Sequence, residues 1–218
     1  MHKLRPITMK PTFKRLLTIL TIAIASQCIN IDPTAKANEK DDLQAAKSKL
    51  EKGDYNQALK QYNDLLEQGV ATAEVYYGKG RSLQELGDNE QALESYTKLI
   101  QIDPDNVIAY SNRGLVYGSL LKIKLALKDF NTAISLDPNF ENAYVNRGVT
   151  KGAMQDWKGA INDFDKAIRI NPSYSEAWRN RGIVKETVGD MQGACIDWKT
   201  AGILGQDEAK QWFVAQCN

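Results

Sequence analysis

Residues 141–174 read ENAYVNRGVTKGAMQDWKGAINDFDKAIRINPSY, and this stretch decides the fold. Apolar residues recur at helical spacing in both of its halves, which predicts a first and a second helix. Gly148 in the first half and Ala160 in the second are small, so we expect the two helices to approach closely there. Pro172 ends the second helix, because proline cannot donate the next backbone hydrogen bond. The stretch therefore predicts one helical hairpin.

The same pattern occurs five times without gaps. Its alanine column shows the constant period most clearly: Ala58, Ala92, Ala126, Ala160 and Ala194. Small residues, aromatic residues and prolines keep the same register, which defines the units 39–72, 73–106, 107–140, 141–174 and 175–208. The unit resembles the tetratricopeptide repeat in its length and in these columns. That resemblance implies an all-α fold, a right-handed superhelical solenoid whose concave face is lined by the first helix of each unit.

The turn between the two helices of a unit carries glycine in three units, as Gly53, Gly87 and Gly189. Glycine adopts the left-handed backbone of such a turn at little cost. Leu121 and Gln155 occupy the same place in the third and fourth units. We therefore expect those two turns to be strained or differently shaped.

The C-terminal end departs from the repeat, as the ends of solenoids usually do. Residues 209–218 are expected to form a capping helix over the last unit. If this helix and the preceding one form an antiparallel hairpin, Cys195 and Cys217 face each other, which predicts a disulfide in an oxidising compartment. Two free thiols are the alternative.

Residues 1–37 have the three regions of a secretory signal peptide in order: a basic stretch, a short apolar run and the cleavage motif Ala35-Lys36-Ala37. Translation could start at Met1 or at Met9. We expect cleavage after Ala37 and export to a periplasm, a thylakoid lumen or the medium. An uncleaved membrane anchor or a buried helix is the alternative.

Composition argues against catalysis. The one histidine, His2, lies in the predicted signal peptide, so the exported chain would contain none. Without residues 1–37, which hold six of the 28 basic and one of the 27 acidic residues, the formal charge becomes −4. This composition offers little material for a metal site or a nucleophile–base pair, and no basic footprint for nucleic acid. We expect no enzymatic activity, no metal and no cofactor.

Three units carry an arginine in the first helix and an aspartate at one fixed later position in the second, whereas the first two units have neither. These pairs predict bidentate ion pairs within each unit; a cluster of arginines for an anionic ligand is the alternative. The pairs are Arg113 with Asp129, Arg147 with Asp163, and Arg181 with Asp197.

An asparagine precedes each of these arginines. In similar repeats this position lies on the concave face, where an amide can both donate to and accept from an extended peptide. Alternatively, the amides are solvated or tie adjacent first helices together. The candidate peptide-binding set is the amides Asn112, Asn146 and Asn180, the apolar track Leu115, Val149 and Ile183, and Tyr77 with Arg81 upstream.

The expected partner is a protein or an extended peptide. The clamp that related repeats use for an acidic C-terminal tail is poorly matched, because the corresponding positions hold Lys47, Gly78 and Asn112. Nucleic acid is not expected, and a membrane only through an uncleaved N-terminal segment. The expected function is that of an extracytoplasmic scaffold for protein–protein interaction or complex assembly. The alternatives are homo-oligomerisation through a terminal unit or the first repeat, and a membrane-anchored assembly factor if the N-terminal segment is not cleaved.

Overall fold

The computed structural model describes residues 33–217, with side chains from residue 38. The chain divides into two units between Lys40 and Asp41, and the packing reported below belongs to the second unit. Within the described residues there are eleven helices and no strand: α1 Pro33–Glu51, α2 Tyr55–Glu67, α3 Ala73–Glu85, α4 Asn89–Ile102, α5 Val107–Ser119, α6 Ile123–Leu136, α7 Glu141–Ala153, α8 Trp157–Ile170, α9 Ser175–Thr187, α10 Met191–Ile203 and α11 Asp207–Gln216.

Consecutive helices pack against each other along the chain from α2 onward, and the first helices α5, α7 and α9 also contact one another across units. The first helices therefore line one common face, and the second helices α6, α8 and α10 lie on the other. The prediction of an all-α solenoid of stacked helical hairpins is confirmed.

In the second to fifth units, the hairpin is closed by an aromatic side chain that lies on the glycine of its own unit. A Cβ added to Gly148 would lie 2.8 Å from Cε1 of Phe164, so the ring occupies the space that a side chain would need. Phe164 is buried together with Ala177 and Val184 of the next unit. The aromatic column thus packs within a unit and between units.

The turn from the first to the second helix passes through one residue with positive φ in every unit. The values are 77°, 82° and 86° at Gly53, Gly87 and Gly189. Leu121 and Gln155 have φ values of 57° and 63°, so these two turns keep the shape of the other three. Two residues other than glycine therefore adopt a left-handed backbone conformation. A left-handed residue other than glycine costs about 1–2 kcal/mol.

The residue after this position caps the second helix in four of the five units. It is an aspartate whose carboxylate accepts a hydrogen bond from the backbone N–H three residues later: Asp54, Asp88, Asp156 and Asp190. The third unit has Lys122 there, with no side-chain bond to the helix. Since such a cap contributes about 1 kcal/mol, the third turn lacks both local stabilising features.

The C-terminal helix α11 covers the last unit. Ala209 is buried against Ala194, Trp198 and Ala201, and the ring of Trp212 meets that of Trp198 edge-on at 5.7 Å. The sulfurs of Cys195 and Cys217 lie within bonding distance, with their Cα atoms 5.7 Å apart.

The helix boundaries differ from the predicted ones at both ends. Helix α1 begins at Pro33, ahead of the predicted start of the first unit at residue 39, and α11 covers 207–216 rather than 209–218. The predicted signal peptide lies outside the described residues up to residue 32. None of the described helices combines the length and the apolar character that crossing a bilayer requires.

Candidate functional site

A cleft of about 500 Å³ lies on the face formed by the first helices of the second to fifth units. It takes side chains from helices α3, α5, α7 and α9 and from the loops that precede α7 and α9. The lining residues are Tyr77, Arg81, Ile108, Ser111, Asn112, Leu115, Phe140, Asn142, Asn146, Tyr174 and Glu176.

Five of the eight residues predicted to bind peptide line this inner cleft: Tyr77, Arg81, Asn112, Leu115 and Asn146. The other three, Val149, Asn180 and Ile183, lie further along α7 and α9 outside its lining. Val149 and Ile183 are 49% and 36% exposed. The cleft therefore covers the upstream part of the predicted surface.

The two asparagines in the cleft lining, Asn112 and Asn146, differ in their hydrogen bonds. The Nδ2 atom of Asn112 is buried and has no hydrogen-bond partner among the described residues. Asn146 donates through Nδ2 to the hydroxyl of Ser111 at 3.3 Å, so it ties α7 to α5. The alternative role, linking adjacent first helices, thus applies to Asn146, whereas the Nδ2 atom of Asn112 makes no hydrogen bond with another described residue.

Sequence reasoning missed the loop and rim residues of the cleft. Phe140 and Tyr174 are the last residues of their units and so occupy the same repeat position. Ile108, Asn142 and Glu176 form another column with the same period, at the second position of each unit. The repeat period already groups these residues into two columns, but only the packing of the units shows that the columns face the cleft.

The polar groups at the two ends of the cleft are held by neighbouring side chains. Arg81 donates through Nη1 to Tyr77 Oη at 3.3 Å and pairs with Glu85. Burial acts to lower the pKa of Arg81, but its contacts with Tyr77, Tyr96 and Glu85 leave that pKa raised.

At the other end, Tyr174 donates to Asn142 Oδ1 at 2.5 Å. Burial, and next the charge of Glu176, raise the pKa of Tyr174 above its usual range. Its hydroxyl therefore stays a proton donor at neutral pH, and Arg81 stays a cation.

The three predicted arginine–aspartate pairs lie outside the cleft lining, each joining the two helices of its unit through two hydrogen bonds. Arg113 binds Asp129 through Nε and Nη2 at 2.8 and 2.9 Å. The pairs Arg147–Asp163 and Arg181–Asp197 have the same geometry.

Each arginine also reaches the preceding unit, a contact the sequence analysis did not predict. The Nη1 atom of Arg113 donates to Thr97, that of Arg147 to Asn131, and that of Arg181 to Asp165. All three acceptors lie on the second helix of the previous unit. Since every guanidinium nitrogen is bonded within the protein, the arrangement favours a structural role over binding of an anionic ligand.

The clamp positions are unsuited to an acidic tail. Lys47 is paired with Glu74, and the place of a side chain at Gly78 is filled by the ring of Tyr62. Among the described residues, no group of three or more histidine, cysteine or carboxylate side chains comes together as metal ligands.

Family models match three parts of the chain. A TPR repeat model matches residues 80–120, and tetratricopeptide repeat models match 107–140 and 141–174. No curated protein sequence matches the chain.

Solved structures of similar fold include three informative cases. The crystal structure of MamA is 25% identical, covers 76% of this chain and 96% of its own, and superposes with a TM-score of 0.63. A thermophilic TPR protein of Thermus thermophilus is 17% identical over 82% of this chain and 98% of its own, with a TM-score of 0.71. The first TPR domain of Spaghetti, solved with an HSP90 peptide bound, is 28% identical over 54% of this chain and 94% of its own, with a TM-score of 0.52.

The repeat period, the stacked helical hairpins and these matches agree on one architecture. Repeat proteins of this kind are generally scaffolds for protein–protein interaction rather than enzymes. The chain is a tetratricopeptide repeat protein.

Proposed function

We propose that this chain is an extracytoplasmic scaffold that holds an extended segment of a partner protein in the inner cleft. The observation that carries the proposal is the Nδ2 group of Asn112, which is buried in the cleft lining without a hydrogen-bond partner among the described residues. A buried donor left unpaired costs about 1–3 kcal/mol. A backbone carbonyl of a bound segment would supply the missing acceptor.

The rest of the lining suits a peptide that carries apolar side chains. Ile108 is 47% exposed, and Leu115, Phe140 and the ring of Tyr77 offer further apolar surface in the same cleft. Apolar walls with a few placed polar groups are usual in binding clefts. The occupant we propose is therefore an internal, extended segment with at least one bulky apolar residue.

Capture of an acidic C-terminal tail is not part of the proposal. The HSP90 peptide bound by the Spaghetti domain ends in SRMEEVD, whereas here Lys47 is paired with Glu74 and position 78 is glycine. The corresponding positions of this chain therefore offer no unpaired lysine, and glycine at one of them offers no polar side chain for a terminal carboxylate.

The proposed compartment rests on two separate features. Residues 1–37 have the order of regions found in secretory signals. Cys195 and Cys217 are positioned for a disulfide, which persists in oxidising compartments. Nonreducing mass measurement of protein recovered from its own compartment tests the disulfide, and alkylation of both cysteines without reductant would exclude it.

The binding proposal is tested by affinity capture with the full chain, comparing Asn112→Ala with Asn162→Ala. Asn162 is exposed on α8, away from the cleft lining, and serves as the matched control. We expect Asn112→Ala to lower the affinity for the captured partners by about tenfold, as loss of one buried hydrogen bond implies. Asn162→Ala should leave that affinity unchanged. Equal capture by the two variants would disprove binding through Asn112.

A second substitution tests the apolar part of the cleft. Ile108→Asp places a charge among apolar side chains without touching the core, because Ile108 is exposed. We expect it to abolish the same captures while the helical content stays unchanged by circular dichroism. Light scattering on the same samples separates partner binding from homo-oligomerisation.

A further inference from the structure

The turn of the third unit, residues 120–128, breaks the pattern kept by the other four turns. Where they have glycine followed by aspartate, or glutamine followed by aspartate, this one has Leu121 followed by Lys122. Leu121 holds a positive φ of 57°, and Lys122 gives no side-chain cap to α6. The four other turns act as internal controls, because they close the same hairpin without these two exchanges.

The exchanges create an exposed apolar and basic surface. Leu121 is 83% exposed and Leu125 44%, and Lys122, Lys124 and Lys128 are exposed beside them. None of the three lysines forms an ion pair with another described residue. Lys124, Leu125 and Lys128 lie on the first turns of α6, with Lys124 and Lys128 one turn apart, and Leu121 lies in the turn that precedes the helix.

Along the sequence, the charge of this segment is one-sided. From residue 106 to residue 128 the sequence contains four basic residues and no acidic one. The next acid, Asp129, is buried and bonded to Arg113. A chain whose exported form is acidic thus presents a local cationic patch around two exposed leucines.

We propose that residues 120–128 form a docking surface for an anionic lipid membrane. Lysines with exposed leucines are the composition of segments that bind at the headgroup region of anionic bilayers. Protein–protein interfaces are depleted in lysine and use aromatic residues and arginine as anchors, and neither is exposed in this segment. The left-handed, uncapped turn leaves Leu121 projecting from the surface, and backbone strain of this kind is often found at functional sites.

The surface is distinct from the inner cleft. Cleft residues come from first helices and from the loops before α7 and α9, whereas this patch lies on the turn and on the second helix α6. Membrane docking and binding of a partner segment can therefore be lost separately.

The test is co-sedimentation of the full chain with vesicles of phosphatidylcholine, with or without about one third phosphatidylglycerol. The key variant is Leu121→Gly/Lys122→Asp, which gives the third turn the residues of a regular one. The matched control, Gln155→Gly/Lys158→Glu, makes the same kinds of change in the fourth unit. The predicted N-terminal apolar segment is present in every variant, so its contribution cancels in the comparison.

We expect binding to anionic vesicles only, weakened by salt, and reduced by at least about tenfold in Leu121→Gly/Lys122→Asp, since each lysine contributes about fivefold near an anionic surface. The control should bind as the unaltered chain does. Because the key variant should be more stable than the unaltered chain, misfolding would not explain its loss. Equal binding by both variants, or equal binding to neutral vesicles, would overturn the proposal.

Hydrogen exchange gives a second readout that the N-terminal segment does not affect. Anionic vesicles should protect the backbone amides of residues 119–128. If vesicles leave these amides unchanged, the proposal fails. If soluble polyglutamate protects them and vesicles do not, the surface serves an acidic protein instead and the membrane proposal is also overturned.

Discussion

Asp197, which is fully buried, accepts two hydrogen bonds from Arg181 at 2.8 and 2.7 Å and a third contact from Lys185 Nζ at 2.9 Å. The same three-way arrangement occurs in the fourth unit, where Asp163 meets Arg147 and Lys151. In the third unit the lysine is replaced by Tyr117, so Asp129 has Arg113 as its one cationic partner among the described residues. The three buried carboxylates therefore differ in how much they depend on their arginine.

This difference predicts unequal effects of removing the arginine. Arg113→Met should lower the free energy of unfolding by about 3–5 kcal/mol, because it leaves a carboxylate that is 5% exposed without a counter-charge. Arg147→Met should cost about 1–2 kcal/mol less, since Lys151 remains beside Asp163. Urea unfolding measures both. Arg179→Met is the control, because its partner Glu208 is 66% exposed and solvates its own charge when the arginine is removed, so the cost should be no more than about 1 kcal/mol; a reversed order would refute this account.

Stability should fall at high pH through Tyr62. Burial, followed by the charges of Glu74 and Glu51, raises the pKa of Tyr62 to about 12. Between the ordinary value of 10.0 and this value, the unfolded chain has lost the proton and the folded chain keeps it, so stability decreases as pH rises. The loss attributable to Tyr62 is on the order of 2 kcal/mol.

The measurement compares unfolding of the unaltered chain and of Tyr62→Phe across that pH interval. Other groups titrate there too, so the difference between the two proteins isolates Tyr62. We expect the unaltered chain to lose more stability than the variant, and parallel curves would contradict the assignment.

Replacing Leu121 by glycine should stabilise the fold. The left-handed backbone at φ 57° costs leucine about 1–2 kcal/mol, and its side chain is 83% exposed, so little burial is lost. After the greater entropy of glycine in the unfolded chain is subtracted, a gain of about 0.5–1 kcal/mol remains. Thermal unfolding measures it. Leu121→Ala, which keeps a Cβ, should bring no such gain.

Adding a methyl group to Gly148 should destabilise the fourth hairpin. The new Cβ would lie 2.8 Å from the ring of Phe164, so ring or helix must shift, at a cost of about 1–3 kcal/mol. Phe164→Leu in the same chain should recover part of this loss. Gly118→Ala is the control: no atom lies within 4 Å of its added Cβ, and helix propensity predicts a gain of about 1 kcal/mol. Similar losses at both glycines would disprove the packing argument.

The bond between Cys195 and Cys217 should stabilise the capped end. It would close a loop with a sequence separation of 22, for which the chain-entropy estimate is about 3 kcal/mol. Reductant should therefore lower the melting temperature of the unaltered chain. Cys195→Ser/Cys217→Ser should melt at the reduced temperature with or without reductant, and an effect of reductant on that variant would show another cause.

Several features of the fold could be predicted because they repeat. The offset between Arg147 and Asp163 matches two helices of fixed length joined by a fixed turn, so partners within one unit follow from spacing. Glycine marks one turn position in the other units, so Leu121 and Gln155 stood out there, but the sequence left open whether those turns are strained or differently shaped. The structure shows that both residues keep the left-handed backbone. Local sequence carries these features because each depends on a single hairpin.

The contacts between hairpins could not be predicted in this way. The bond from Arg181 to Asp165 depends on the angle at which one hairpin stacks on the next. Asn146 bonds Ser111 of the preceding unit, whereas Asn112, at the same position of its own unit, follows a unit with Tyr77 in place of that serine and has no partner among the described residues. The stacking angle also turns Phe140 and Tyr174 towards the cleft.

By itself the sequence determined the repeat, the all-α fold and the residues that each hairpin brings together, because helical period, glycine turns and charge spacing act within a single repeat unit. The tertiary structure decided which amide lacks a hydrogen-bond partner among the described residues, which loops complete the cleft, and how each arginine joins two units. These depend on how side chains from different hairpins fill the space between them, and close packing is a property of the whole stack.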